Sequence, residues 1–171
     1  MHTKYIIIKH SGLFFSIASI FGISICNLFI IYSGEFLLQF NSLYFLAISI
    51  TDLLPGPRSW AEKWVQYRNL VPLSFLVTIV FSLFGFLLPF FAEANEKIDE
   101  KLMKKTNWTW VILLDLFLLY TFLIDSIPTG SGDFRGIPAN MIGIIGVSFA
   151  ISGLFYCLGL QAVFLFRRLS S

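Results

Sequence analysis

Charged residues are scarce in this sequence: Asp, Glu, Lys and Arg make up 13% of its 171 residues, whereas soluble domains carry roughly 25%. Hydrophobic residues account for 57%, phenylalanine alone for 20 residues, and the mean hydropathy is +0.80. No segment outside the apolar runs is long enough to form a core of its own. The sequence therefore predicts one integral membrane domain, residues 1–171, without an attached soluble domain.

Histidine and cysteine are almost absent as well. The only histidines, His2 and His10, precede the first apolar run, and Cys26 and Cys157 lie in two different runs. Without a histidine inside an apolar run we expect no haem and no histidine-bound metal. No Ser-His-Asp or Cys-His arrangement is recognisable. We therefore expect a protein that is not an enzyme and needs no cofactor.

Concentrated positive charge is also missing, since the net charge is only +2 and is shared among the loops. Nucleic-acid-binding proteins gather Lys and Arg into a patch or stripe. This distribution excludes nucleic acid as a partner. Membrane lipid, and another membrane protein or a membrane-inserted toxin, are the partners that we expect.

Four apolar runs are long enough to cross the roughly 30 Å hydrocarbon core of a membrane as helices. They cover residues 12–33, 70–92, 108–127 and 139–166. The fold class predicted from them is an all-α integral membrane protein, a four-transmembrane-helix bundle. A fifth span at 36–54 is the alternative, although polar residues interrupt that segment.

The distribution of Lys and Arg predicts the orientation of these spans. With four spans, eight of these residues fall on one side of the membrane and four on the other, whereas a fifth span would give six and six. Because Lys and Arg are enriched in cytoplasmic loops, the asymmetry favours four spans with both termini in the cytoplasm. The expected location is a bacterial inner membrane.

The last run contains a row of small residues separated by steps of three or four positions. Small residues allow two helix backbones to approach closely in lipid, where no hydrophobic force draws helices together. The row predicts a helix-packing face, either against the first helix of this chain or against another protein. Its members are Ala139, Gly143, Gly146, Ala150, Gly153 and Cys157, and the next step reaches Gln161.

Asp115 is the acidic residue placed deepest in a predicted span. It lies seven residues from Trp108, and Gln161 lies six residues from Arg167, so antiparallel helices would bring both side chains to one depth. Acids inside membranes normally face the bundle interior, and burial disfavours their charged form. We predict a polar pair between neutral Asp115 and Gln161, which serves as a structural clamp or, alternatively, as a proton or ion relay.

Two outer segments contain residues that could contact a partner. Ser59 and Glu62 form a capping box, which predicts an interfacial helix at about 59–69 with aromatic residues on one face, at the depth where Trp and Tyr are enriched. A glycine-rich loop at 131–136 follows the third span. The possible outer contact residues are Trp60, Trp64, Tyr67, Asp133 and Arg135.

The chain resembles the inner-membrane immunity proteins that protect bacteria from pore-forming colicins of the colicin A and B type. The resemblance rests on length, on the order of the spans and on a few motifs. Asn69-Leu70-Val71 stands where the family has Lys-Thr-Ala. The matching residues are Ser49-Ile50-Thr51, Pro57, Tyr67 and Pro72, followed by Thr129-Gly130, Arg135 and Asn140.

This resemblance implies a protein with four spans that meets a toxin's pore-forming domain in the membrane and prevents its channel from opening. The apolar runs and small-residue rows also fit an accessory or structural subunit of a larger membrane complex. A third hypothesis, a small proton- or ion-coupled transporter or channel, rests on Asp115 alone. The sequence leaves all three open.

Overall fold

The computed structural model describes residues 11–34, 36, 39, 41–58, 69–91, 108–124 and 141–170. The part of the chain so described is helical and contains no strand, which confirms the all-α class. Its main helices are α1 (Ser11–Tyr32), α2 (Asn41–Leu53), α3 (Val71–Phe91), α4 (Trp108–Leu123) and α5 (Met141–Ser170).

Three of these helices, α1, α3 and α5, are long and apolar enough to cross a membrane. α4 has 16 residues, which corresponds to about 24 Å at 1.5 Å per residue. α2 has 13 residues, or about 20 Å on the same basis, which is short of the roughly 30 Å of a hydrocarbon core. The segment considered as a fifth span is thus a short helix.

The centre of the bundle is the pair of α3 and α5, which share its most extensive interhelical contact. Thr78 contacts Ser148 in the first half of both helices, and Phe86 contacts Gly159 in the second half of both, so the two helices run parallel. Gly85 permits the close approach, because a Cβ built there would lie 2.8 Å from the backbone oxygen of Ser152.

α1 packs against this pair in the opposite direction. The ring of Phe15, near the start of α1, stacks on Tyr156 at a centroid distance of 4.8 Å and also covers Gly85. Further along, Gly22 lies directly under the ring of Phe81. Because Gly22 follows Phe15 whereas Phe81 precedes Gly85, α1 is antiparallel to α3.

α2 packs at the end of the bundle that contains the C-terminus of α1 and the N-terminus of α3. Its Ala47 forms a buried cluster with Ile30 and Leu73. The turn after α2 then reaches α4, where a Cβ on Gly56 would overlap the backbone oxygen of Phe122. A short segment between two spans therefore supports the C-terminal end of α4.

α4 lies at the edge of the bundle and packs chiefly against α5. Its buried side chains are Asp115 and, one turn later, Leu119, which joins the core cluster of Ile144, Val147 and Ile151. Asp115 meets Gln161, whereas Leu119, later in α4, shares a buried cluster with Ile144, Val147 and Ile151, earlier in α5, so α4 and α5 run antiparallel. Most of the α4 surface is exposed leucine and aromatic side chains.

Candidate functional site

The described part of the chain brings Asp115 and Gln161 together between α4 and α5. Gln161 Nε2 donates a hydrogen bond to Asp115 Oδ2 at 2.5 Å. Asp115 is 7% exposed and Gln161 is 3% exposed, so protein surrounds both side chains. The contact joins two helices that otherwise meet through apolar side chains.

The hydrogen bonding of this pair is incomplete. Gln161 Oε1 is buried and has no hydrogen-bond partner within the described residues. In a hydrocarbon environment an unsatisfied polar group cannot recover its hydrogen bond from water, and its burial is costly. One further donor would complete the hydrogen bonding of this pair.

Cys157 lies one helical turn before Gln161 on α5. It is a free cysteine with an exposed side chain.

The small residues of the predicted row on α5 differ in how deeply they are buried. Gly143 is buried, Ala150 and Gly153 are half-buried, and Gly146 and Cys157 are exposed. A Cβ built on Gly146 or Gly153 would meet no atom of the described residues within 4 Å. Neither glycine therefore brings another described helix into close contact with α5.

We call the surface formed by Gly146, Ala150, Gly153 and Cys157 the open face of α5. It is turned away from α3 because α5 buries a different set of residues against that helix. Ala139, the first member of the predicted row, lies outside the described residues.

The face of α5 that packs inside the bundle contains a second row of small residues, Ser148, Ser152 and Gly159, which the sequence analysis missed. Ser148 hydrogen-bonds Thr78 at 2.7 Å, Ser152 donates to the backbone oxygen of Ser148 at 2.8 Å, and Gly159 touches the backbone of Phe86. Their spacing of four and seven residues was the available signal.

The residues matched to colicin immunity proteins are described in part. Ser49 and Thr51 each donate a side-chain hydrogen bond to a carbonyl of their own helix, α2, while Pro57 and Pro72 are buried. The predicted interfacial helix and the outer contact residues Trp60, Trp64, Tyr67, Asp133 and Arg135 lie outside the described residues.

Comparison with known proteins gives no relative. No protein-family model, no curated protein and no solved structure matches the chain.

Proposed function

We propose that this protein is not an enzyme and acts by binding another membrane-embedded protein along the open face of α5. The observation that carries the proposal is the free space at Gly146 and Gly153. Glycine weakens a helix by about 1 kcal/mol relative to alanine, and at these two positions it allows no close approach of a described helix. A helix of another protein can use that space, because small residues let two backbones come close in lipid.

The proposed arrangement is a bundle of four spans, α1, α3, α4 and α5, with both termini in the cytoplasm of a bacterial inner membrane. The directions of these helices support it, because α1 and α4 run opposite to α3 and α5. The excess of Lys and Arg at the termini and in 93–107 supports the orientation. The open face of α5 then lies at the depth of the lipid.

The partner that we propose is a membrane-inserted pore-forming toxin, in keeping with the resemblance to colicin immunity proteins. A toxin helix seated on the open face would be held beside α5, and its channel would stay closed. The alternative partner is a resident complex of which this protein is an accessory subunit. Both partners use the same face and differ in when they are present.

A survival assay tests the proposal. Cells that express the chain should survive a matched pore-forming toxin, and the double variant Gly146→Leu/Gly153→Leu should lose this protection because leucine fills the open face. Val80→Leu is the control, since Val80 is 57% exposed on α3, away from that face. Both variants should fold. A Cβ on Gly146 or Gly153 would meet no described atom within 4 Å, and Val80 is exposed.

Affinity purification at native expression, followed by mass spectrometry, separates the two partners. A resident membrane protein that co-purifies in the absence of toxin would show that this chain is an accessory subunit. Its co-purification should be lost in the double variant and kept in Val80→Leu. Protection and co-purification that are both unaffected by the double variant would disprove binding through the open face.

A further inference from the structure

The buried pair of Asp115 and Gln161 requires a donor that its hydrogen bond does not supply. The carboxamide of Gln161 has an oxygen that only accepts and a nitrogen that only donates. Nε2 donates to Asp115 Oδ2, whereas Oε1 is buried without a partner in the described part of the chain. The amide is thus satisfied on one side only.

Two other buried atoms of the described residues lack a partner, the hydroxyl oxygens of Ser19 and Ser82. A hydroxyl group can rotate and donate to a carbonyl of its own helix, as Thr78 and Ser152 do in this bundle. Gln161 Oε1 has no such remedy, because an acceptor cannot satisfy itself. Its donor has to come from a neighbouring group.

The group already in contact with Gln161 is the carboxyl of Asp115. An ionised carboxylate only accepts hydrogen bonds, but a protonated one carries an O–H donor. We propose that Asp115 is a proton-binding site. The carboxyl oxygen opposite Oδ2 carries the proton and donates it to Gln161 Oε1, while Oδ2 accepts from Nε2. Acid and amide then satisfy each other through two hydrogen bonds.

Apolar residues flank Asp115 along the chain. Its neighbours along α4, Leu114 and Leu116, are apolar. On α5, Cys157 lies one helical turn before Gln161. Arg58 belongs to the turn that contacts α4 at Phe122 and Leu123, two helical turns away from Asp115.

Loss of the proton would bring two acceptor oxygens face to face and place a negative charge between apolar helices, where charge is costly. The proton therefore holds α4 on α5. α4 depends on this contact because the rest of its attachment is the apolar cluster around Leu119 and the Gly56 turn. The inference is independent of the open face of α5 and of the partner proposed for it.

Infrared spectroscopy of the full-length protein in lipid nanodiscs tests the proposal. At neutral pH, the difference between wild type and Asp115→Asn should contain the carbonyl stretch of a protonated, hydrogen-bonded carboxyl. That band should shift in Gln161→Leu, which removes the acceptor. A difference spectrum that contains only carboxylate bands at neutral pH would overturn the proposal.

Stability provides a second readout that does not depend on the spectrum. Asparagine has a donor group and an acceptor oxygen, as protonated aspartic acid does. Asp115→Asn should therefore keep the equilibrium constant of unfolding within about two-fold of wild type. Asp115→Leu should raise the equilibrium constant of unfolding by about ten-fold or more, because the whole amide of Gln161 loses its partner. Equal losses of stability in Asp115→Asn and Asp115→Leu would refute a proton on Asp115. A wild-type stability that rises with sodium concentration would show that a cation is bound there instead.

Discussion

Gly159 of α5 and Phe86 of α3 are in backbone contact, so that a Cβ on Gly159 would overlap the carbonyl oxygen of Phe86. The atom in the way belongs to the backbone and cannot rotate aside. The described packing of α3 against α5 thus requires glycine at position 159. Gly153, six residues earlier, has no described atom within 4 Å of a Cβ built in the same way.

We expect Gly159→Ala to lower the free energy of unfolding by about 1–3 kcal/mol, the usual cost of forcing extra volume into a packed interface. Gly153→Ala is the matched control on the same helix. It should leave the free energy unchanged or raise it by up to about 1 kcal/mol, because alanine has the higher helix propensity. Reversible unfolding in mixed micelles measures both values, and equal effects would contradict the described approach of α3 and α5.

Gly56 supports the C-terminal end of α4, and its substitution should loosen that helix selectively. A Cβ at this position would collide with the backbone oxygen of Phe122 and lie 2.9 Å from that of Leu123. We expect Gly56→Ala to increase hydrogen–deuterium exchange of α4 while α3 and α5 keep their protection. Exchange that becomes faster in all helices alike, or that does not change in α4, would show that Gly56 does not support α4 selectively.

Depth along the membrane can be predicted from this sequence better than the direction in which a helix face points. The levels of Asp115 and Gln161 follow from counting residues to the helix ends, and these two side chains are in contact. The face of α5 could not be chosen in this way. A helix in lipid is apolar on every side, so hydrophobic periodicity, which marks the buried face in water, is lost.

Two rows of small residues on α5 were therefore equally compatible with packing. The steps of three and four residues predict packing by the row of Gly146 and Gly153, but the row of Ser148 and Ser152 packs against α3. What decides between them is the partner surface, in which Gly85 leaves room for the backbone of Ser152. That information lies in another helix, and no pattern within α5 contains it.

The hydrogen bond between Thr78 and Ser148 should contribute a measurable coupling between α3 and α5. The two hydroxyl oxygens are 2.7 Å apart and both side chains are about 1% exposed. Polar contacts between membrane helices contribute about 0.6 kcal/mol on average and at most about 1.7 kcal/mol. A double-mutant cycle with Thr78→Val and Ser148→Ala should give a coupling energy in this range, with Ser49→Ala on α2 as the control for loss of a hydroxyl.

The alternation of helix directions predicts where reporters attached to the chain will be active. α4 runs antiparallel to α5, so its two ends should face opposite sides of the membrane even though its described length is only about 24 Å. Fusions of a periplasmically active reporter after Lys104 or Ser171 should be inactive, and fusions after Asp133 should be active. Activity after both Lys104 and Asp133 would mean that α4 does not cross the membrane.

The positive-inside rule gives the same assignment independently, because Lys and Arg are concentrated at the termini and in 93–107. Replacing the four lysines of that loop by glutamine should therefore weaken the topology, whereas the same change at Lys63 should leave every fusion as it was.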